Sequence, residues 1–167
     1  MLTIHRTAAI AFVSMLGGAL ATSASAQLRT EKLLSYEAAK TIATGAIEAC
    51  QAKGYRVSAT VVDRNGDTVV QIRGDNASPH TMENSRRKAY TANTFRASSA
   101  VFAKRVADGE AGPRQQATLP GIIAIAGGLP IKVGEDVIGA AAISGSPGGN
   151  DEVCVQAGLD KAKELLK

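Results

Sequence analysis

The feature that most constrains the fold is a set of β-rich runs joined by connections that are too short for crossovers. Asn65-Gly66, between the first two runs, is a strong hairpin signal. Only Gly134–Asp136 separates the last two. Because parallel strands need a connection of a dozen or more residues, these runs predict an antiparallel sheet. The four runs are Val57–Val62, Thr68–Arg73, Leu129–Val133 and Val137–Ser144.

A fifth apolar run, Ile122–Ala126, precedes Gly127-Gly128 and brings the expected sheet to about five strands. Helical signals flank these runs, with Ser35 as a cap and Gly54 as a stop for the first helix. Since 167 residues are too few for two well-cored domains, we expect a single α+β domain over residues 27–167. The predicted helices are Ser35–Lys53, Ser78–Phe95, Ser98–Ala107 and a last one from Asp151.

The first 26 residues have the pattern of a signal peptide. A polar start with His5 and Arg6 leads into the uncharged run Ala8–Ala21, and Ala24-Ser25-Ala26 is a small-x-small cleavage site. We therefore expect cleavage after Ala26 and a periplasmic or secreted protein without stable membrane insertion. The alternative is an uncleaved membrane anchor, although the apolar run is short for a bilayer span.

Composition narrows the class of function. Removing Arg6 leaves 18 basic and 15 acidic residues, a net charge of +3, and this weak basicity together with export argues against a nucleic-acid partner. Two cysteines and two histidines exclude Cys₄ and His₃ metal sites. A Ser-His-Asp triad would have to use His80, but no nucleophile is marked for it. Gly145–Asn150 precedes a helix as an anion-binding loop would, yet it lacks the phosphate-binding patterns and is better interpreted as a plain loop.

A series of short motifs follows the predicted elements along the chain: Val61–Gly66, Arg73–Ala77, Pro79–Thr81, Arg87–Ala92, Gly127–Ile131, Val137–Gly139, Ser144-Gly145 and Asp151-Glu152. These motifs, in this order, resemble the GlcG/HbpS-type haem-binding family. The resemblance covers residues 33–167 and implies a profilin-like antiparallel sheet flanked by helices, homo-oligomers (dimers or larger) and haem binding in some members. The Glu-x-x-Glu pairs of some secreted members are absent, so iron storage is not supported.

His80 is the only histidine that remains after cleavage, and it is the candidate axial ligand of haem iron. Its place in the first turn of a helix disfavours the imidazolium form and keeps the neutral, ligating form available. Spacing alone favours an exposed polar residue at a helix start; the family resemblance adds the ligand interpretation. Thr81, Met82 and Tyr90 are alternative donors on the same helix.

Basic residues accompany His80 and suit the two carboxylates of haem. Arg86, Arg87 and Lys88 follow it on the same helix, and arginine pairs well with carboxylates. The alternative for at least one of the three is a solvated helix face. Arg73 and Asp75 lie near the same cleft in this fold or form a structural ion pair, and the sequence leaves both possibilities open.

The family fold implies that the first and last helices lie side by side, which would bring Cys50 and Cys154 together. In an oxidising compartment two cysteines on neighbouring helices usually pair, so we expect a disulfide. The alternative is two separate buried cysteines that act as small hydrophobic residues.

These observations favour an exported haem- or tetrapyrrole-binding protein for scavenging, buffering or sensing. One alternative is a haem-degrading or redox enzyme that uses the bound iron, but no distal proton donor or electron source is marked. The other is a small-molecule-binding or scaffold module without haem.

Overall fold

The computed structural model describes residues 28–147 and 149–167; the predicted signal peptide, residues 1–26, lies outside the described residues. The helices and strands lie in a compact unit, Glu31–Lys167. No helix in the described part of the chain is long and apolar enough to cross a membrane. The elements are α1 Tyr36–Gln51, β1 Ser58–Asp63, β2 Thr68–Arg73, α2 His80–Phe95, α3 Ser99–Ala107, α4 Ala111–Gln116, β3 Gly128–Val133, β4 Asp136–Ser144 and α5 Asn150–Lys161, followed by a 3₁₀ turn, Lys163–Leu165.

The sheet is antiparallel throughout, with strand order β2-β1-β4-β3. Two hairpins, β1–β2 and β3–β4, meet through strands β1 and β4, where Val61 pairs with Ala141. The prediction of an antiparallel sheet flanked by helices is therefore confirmed.

The expectation of a fifth strand over Ile122–Ala126 is wrong, because the sheet formed by the described residues has four strands and this segment is not among them. The backbone of this segment bonds to side chains of α2 instead of to a strand: Arg87 Nη2 donates to the Ile122 carbonyl, and the Ile123 N–H donates to Thr91 Oγ1 at 2.9 Å. Gly121 and Gly127 bound the segment, with φ of 84° and 131°. Between these two glycines the apolar segment runs past α2 before β3 begins.

The two faces of the sheet are packed differently. On the face covered by α1 and α5, aliphatic side chains form the main core, which includes Val61, Ile143 and Val155. Between the sheet and α2, a second hydrophobic cluster contains one valine and four alanines, and buried polar side chains lie beside it. The cluster consists of Val62, Ala89, Ala92, Ala140 and Ala142. The small side chains on this face let α2 approach the sheet closely.

A disulfide joins Cys50 of α1 to Cys154 of α5, with a Cα–Cα distance of 5.5 Å. Both cysteines are fully buried in the main core. The predicted bridge is confirmed.

Candidate functional site

One side of α2 carries the strongest candidate ligand. His80, Asn84, Arg87 and Thr91 are spaced by four, three and four residues, so they lie in one row along the helix; we call this row the His80 flank. His80 begins the helix and is exposed, and within the described part of the chain it makes no hydrogen bond or ion pair. Its imidazole is available to an external ligand.

Arg87 stands two turns further along the same flank, a rise of about 10 Å. Its Nη2 donates to the Ile122 carbonyl, whereas its buried Nε has no acceptor within the described residues. An unpaired buried donor costs about 1–3 kcal/mol, and more when the group is charged. The arginine is therefore one that an additional acceptor, such as a carboxylate, would stabilise.

Arg86 and Tyr90 lie on a different side of α2, together with Glu83; we call this the Arg86 flank. Arg86 binds Glu83 through two hydrogen bonds, Nε to Oε2 at 2.9 Å and Nη2 to Oε1 at 2.8 Å. The hydrogen bond to Arg86, aided by the charges of Arg86 and Arg87, lowers the pKa of Glu83 against a smaller opposing effect of burial. The same hydrogen bond raises the pKa of Arg86.

The Tyr90 ring is packed against backbone. A Cβ added to Gly66 would lie 2.7 Å from its Cε2 atom, and one added to Gly121 would lie 3.3 Å from Cδ1. Tyr90 is ten residues from His80, about 15 Å along the helix. The structure does not bring these two candidates together.

Thr81 and Arg73 hold the start of α2. Thr81 is buried; its hydroxyl lies 2.7 Å from Ser58 Oγ and donates to the Ser78 carbonyl at 2.6 Å. Arg73 Nε donates to the Ala77 carbonyl at 2.8 Å, in the loop that leads into the helix. No ion pair joins Arg73 to Asp75 in the described part of the chain. These residues position the loop before His80.

A layer of polar side chains attaches the next turn of α2 to the sheet. Thr60 Oγ1 lies 2.8 Å from Ser85 Oγ, and both hydroxyls are buried. Gln71 Nε2 donates to Thr60 Oγ1 at 2.8 Å and to the Met82 carbonyl at 2.9 Å. Hydrogen bonds, rather than interlocking aliphatic side chains, therefore fix the height of this turn above the sheet.

Although Lys88 directly follows Arg86 and Arg87 in the sequence, it lies on neither the His80 flank nor the Arg86 flank. Its side chain is only 3% exposed, and its Nζ lies 2.6 Å from Asp151 Oδ2 and 3.2 Å from the Ile143 carbonyl oxygen. Asp151 Oδ1 in turn accepts from the backbone N–H and hydroxyl of Ser146, at 3.0 and 2.6 Å. This buried network joins α2 to the start of α5, and the sequence analysis missed it.

The glycine pair before β3 is the one sequence signal that relates to this network. A Cβ on Gly127 would lie 2.8 Å from Lys88 Nζ, and one on Gly128 would lie 2.5 Å from the Lys88 carbonyl oxygen. Both glycines are thus needed for the close approach of α2.

Comparison with known proteins places the fold in a family. Residues 34–160 match the family described as "Haem degrading protein HbpS-like". The chain belongs to the HbpS-like family. This confirms the resemblance to GlcG/HbpS-type proteins.

Individual relatives align with this HbpS-like chain over most of their own length. The Escherichia coli K12 protein GlcG is 28% identical over 117 residues, which cover 70% of this chain and 85% of GlcG. A double mutant of Streptomyces reticuli HbpS is 34% identical, with a TM-score of 0.74, covering 92% of this chain and 97% of that one. The structure of a PduOC:heme complex shares the fold at 23% identity, with a TM-score of 0.71 and coverage of 78% and 95%.

The described residues of this HbpS-like chain contain no group of three or more His, Cys, Asp or Glu that could hold a metal ion. Haem iron needs only axial side chains from the protein, since the porphyrin supplies the other donors. A single imidazole such as His80 meets that requirement.

Proposed function

We propose that the protein binds haem on the His80 flank, with His80 as the axial ligand and Arg87 as the partner of a propionate. The observation that carries the proposal is the unpaired, buried Nε of Arg87 on the same row as an imidazole without a partner. When bound, haem supplies an iron centre capable of redox and ligand-binding chemistry.

The donor set suits haem in type and in order along the helix. His80 provides a nitrogen lone pair, and Arg87 provides a planar guanidinium that matches a carboxylate. Asn84 lies between them with donor and acceptor atoms for the rim of a ligand. The family description names haem, and a protein of the same fold has been solved as a haem complex. Both support the proposal.

Titration of the apoprotein with haemin, followed by Soret absorbance, tests this function. We expect His80→Ala to shift or abolish the Soret band and to weaken affinity by about tenfold or more, equivalent to 1.4 kcal/mol. His80→Met, which retains a possible axial donor, should give a band at a different position. An unchanged spectrum and affinity in His80→Ala would place the ligand elsewhere.

Arg87→Ala should weaken haemin binding while the Soret position stays the same, because a propionate contact orients the ring without ligating iron. Arg114→Ala, at an exposed position of α4, is the matched control and should bind haemin as the unaltered protein does. Equal affinities of the Arg87 and Arg114 variants would remove Arg87 from the site.

We also propose that the protein is exported after cleavage behind Ala26, assembles as a homo-oligomer, and holds haem for scavenging, buffering or sensing. The buried Cys50–Cys154 disulfide supports export, because such bonds persist in oxidising compartments. The intact mass of the protein from a periplasmic or secreted fraction should correspond to a chain that starts at Gln27. A mass that includes residues 1–26 would contradict cleavage.

Haem degradation is a second candidate, favoured by the family description. Loss of the Soret band over time with a reductant and oxygen, faster than for free haemin, would support an enzyme. A stable band under the same conditions would leave binding alone.

A further inference from the structure

A concave site lies away from α2, at the edge of the main core. It is a groove of about 270 Å³ between the segment before α1, the β3–β4 hairpin and the C-terminal residues. Its floor includes Leu34, Val133 and Leu166, all of which pack against the core on the α1 and α5 side of the sheet. The groove is therefore apolar at its base and is separated from the His80 flank by the sheet.

The size and lining of the groove do not suit haem. Its lining residues include no His, Met, Cys or Tyr, so it offers none of the usual ligands for haem iron. Its volume equals that of about nine water molecules, and it falls below the usual range for drug-sized ligands, about 300–1,000 Å³. A small occupant with a narrow apolar body fits better.

The charged side chains at the rim determine whether the groove favours an anion or a cation. Lys32 and Lys167 have the charged side chains of the lining, and both side chains are basic. Lys167 forms an ion pair with Glu164, whereas Lys32 has no acidic partner among the described residues. An unpaired ammonium above an apolar floor is complementary to a molecule with one anionic end and one apolar end.

We propose that this groove binds a small amphipathic anion, a carboxylate on a short alkyl chain, with the carboxylate at Lys32 and the chain on the floor. The apolar floor supplies the affinity through removal of alkyl surface from water, and Lys32 supplies the preference for an anion. The proposal is independent of haem binding, because it uses none of the residues of the His80 flank.

Octanoate is the probe, added to the ¹⁵N-labelled full chain and followed by amide chemical shifts. We expect saturable shifts at Leu34, Val133 and Leu166, and weaker binding of 1-octanol and octylammonium. Shifts confined to other residues, equal affinity for the three compounds, or no saturable shift would each overturn the proposal. Concentration-dependent shifts at the same residues without octanoate would assign the groove to a second copy of the chain and would equally overturn it.

Two variants and a matched control locate the interaction. Lys32→Met should weaken octanoate by up to about fivefold, the upper end of the range for a solvent-exposed ion pair, and leave 1-octanol unchanged. Leu33→Ser should weaken both, and because Leu33 lines the groove yet is 75% exposed, this variant should fold normally. Lys53→Met, beyond the far end of the 16-residue helix α1, should leave both affinities unchanged. Equal octanoate affinities of the Lys32 and Lys53 variants would contradict the assignment of the carboxylate.

Haemin and His80→Ala separate this site from the proposed haem site. Octanoate should bind haemin-loaded protein and His80→Ala with unaltered affinity. Displacement of octanoate by one equivalent of haemin would overturn the groove as an independent site, whereas failure of haemin to bind would leave the octanoate result standing.

Discussion

At the scale of single residues, Gly127 is a position where an added carbon would be crowded from three sides. A Cβ there would lie 2.8 Å from Lys88 Nζ, 2.8 Å from the Ile143 carbonyl oxygen and 2.9 Å from Asp151 Cβ, and φ is +131°. We expect Gly127→Ala to lower the free energy of unfolding by about 2–4 kcal/mol, from overpacking and backbone strain together. Urea denaturation measures the change.

Gly112 provides the matched control for that substitution. It lies in α4, and apart from its chain neighbours a Cβ added to it would have no atom within 4 Å. Gly112→Ala should therefore change the free energy of unfolding by no more than about 1 kcal/mol, because the lower entropy of the unfolded chain is offset by contact of the new Cβ with the ring of Pro113. Equal stabilities of the two variants would show that Gly127 is not crowded.

Glu83 gives the stability a small pH dependence. Its pKa lies below the ordinary value of 4.5, chiefly because of the hydrogen bond with Arg86. A lowered folded-state pKa contributes stability that is present above the ordinary pKa and is lost as pH falls through the lowered value. Glu83→Gln should thus cost roughly a few tenths of a kcal/mol at pH 7, since solvent screens the pair, and nothing at a pH where Glu83 is protonated.

The control for Glu83→Gln is Glu135→Gln, at an exposed glutamate with no partner among the described residues. Its urea midpoint should match that of the unaltered protein at both pH values. A Glu83→Gln deficit that persists undiminished in acid would mean that the effect is not electrostatic.

Residue type made His80 and Arg87 candidates, because few side chains ligate iron or pair with carboxylates, and the family resemblance added haem as the ligand; both assignments stay predictions. Residue type was not enough to sort the basic run, whose three members have three different environments. Lys88 is buried beside Asp151, its partner, which lies 63 positions away in the sequence. A contact of that range leaves no local periodicity, and the glycine pair that makes room for it resembles an ordinary turn.

At the scale of elements, the attachment of α2 depends strongly on the buried Lys88–Asp151 pair. Lys88→Met should cost about 3–5 kcal/mol, because it leaves the Asp151 carboxylate buried without its cation. In Lys88→Met/Asp151→Asn the remaining partner is neutral, so the double variant should be more stable than the sum of the two single changes predicts. A double-mutant cycle from urea denaturation measures the coupling.

A double-mutant cycle without coupling would change the account of how α2 is attached. Additive single changes would mean that the ammonium and carboxylate do not interact in solution. In that case α2 would be held by its other contacts, among them the polar layer formed by Thr60, Gln71 and Ser85.

The elements that could be predicted are those with local signals. The turn at Asn65-Gly66 and the three-residue turn Gly134–Asp136 each define a hairpin within a few residues, and both hairpins were predicted correctly. Ile122–Ala126 was not, because an apolar run has the same composition whether it pairs with a strand or crosses a helix. The contacts that decide between these are with Arg87 and Thr91, more than 30 positions earlier.

At the scale of the whole molecule, the disulfide is a covalent constraint between residues that are far apart in the sequence. It joins residues 104 positions apart, and the chain-entropy estimate for a loop of that length is about 4.7 kcal/mol. Cys50→Ala/Cys154→Ala should therefore unfold at lower urea concentration and lower temperature, and a reductant should shift the unaltered protein but not this variant. Identical unfolding midpoints of the unaltered protein with and without reductant would show that the disulfide does not stabilise the fold.

The same bond determines how the molecule responds to tension. All four strands and α2 lie between Cys50 and Cys154 in the sequence. A force applied to the two ends of Glu31–Lys167 would pass through the sulfur–sulfur bond, so α1 and α5 would be stretched while the sheet carried no load. Reduction would release the enclosed chain and add up to about 350 Å of contour length, which single-molecule pulling measures directly. Extension of the sheet before reduction would exclude this load path.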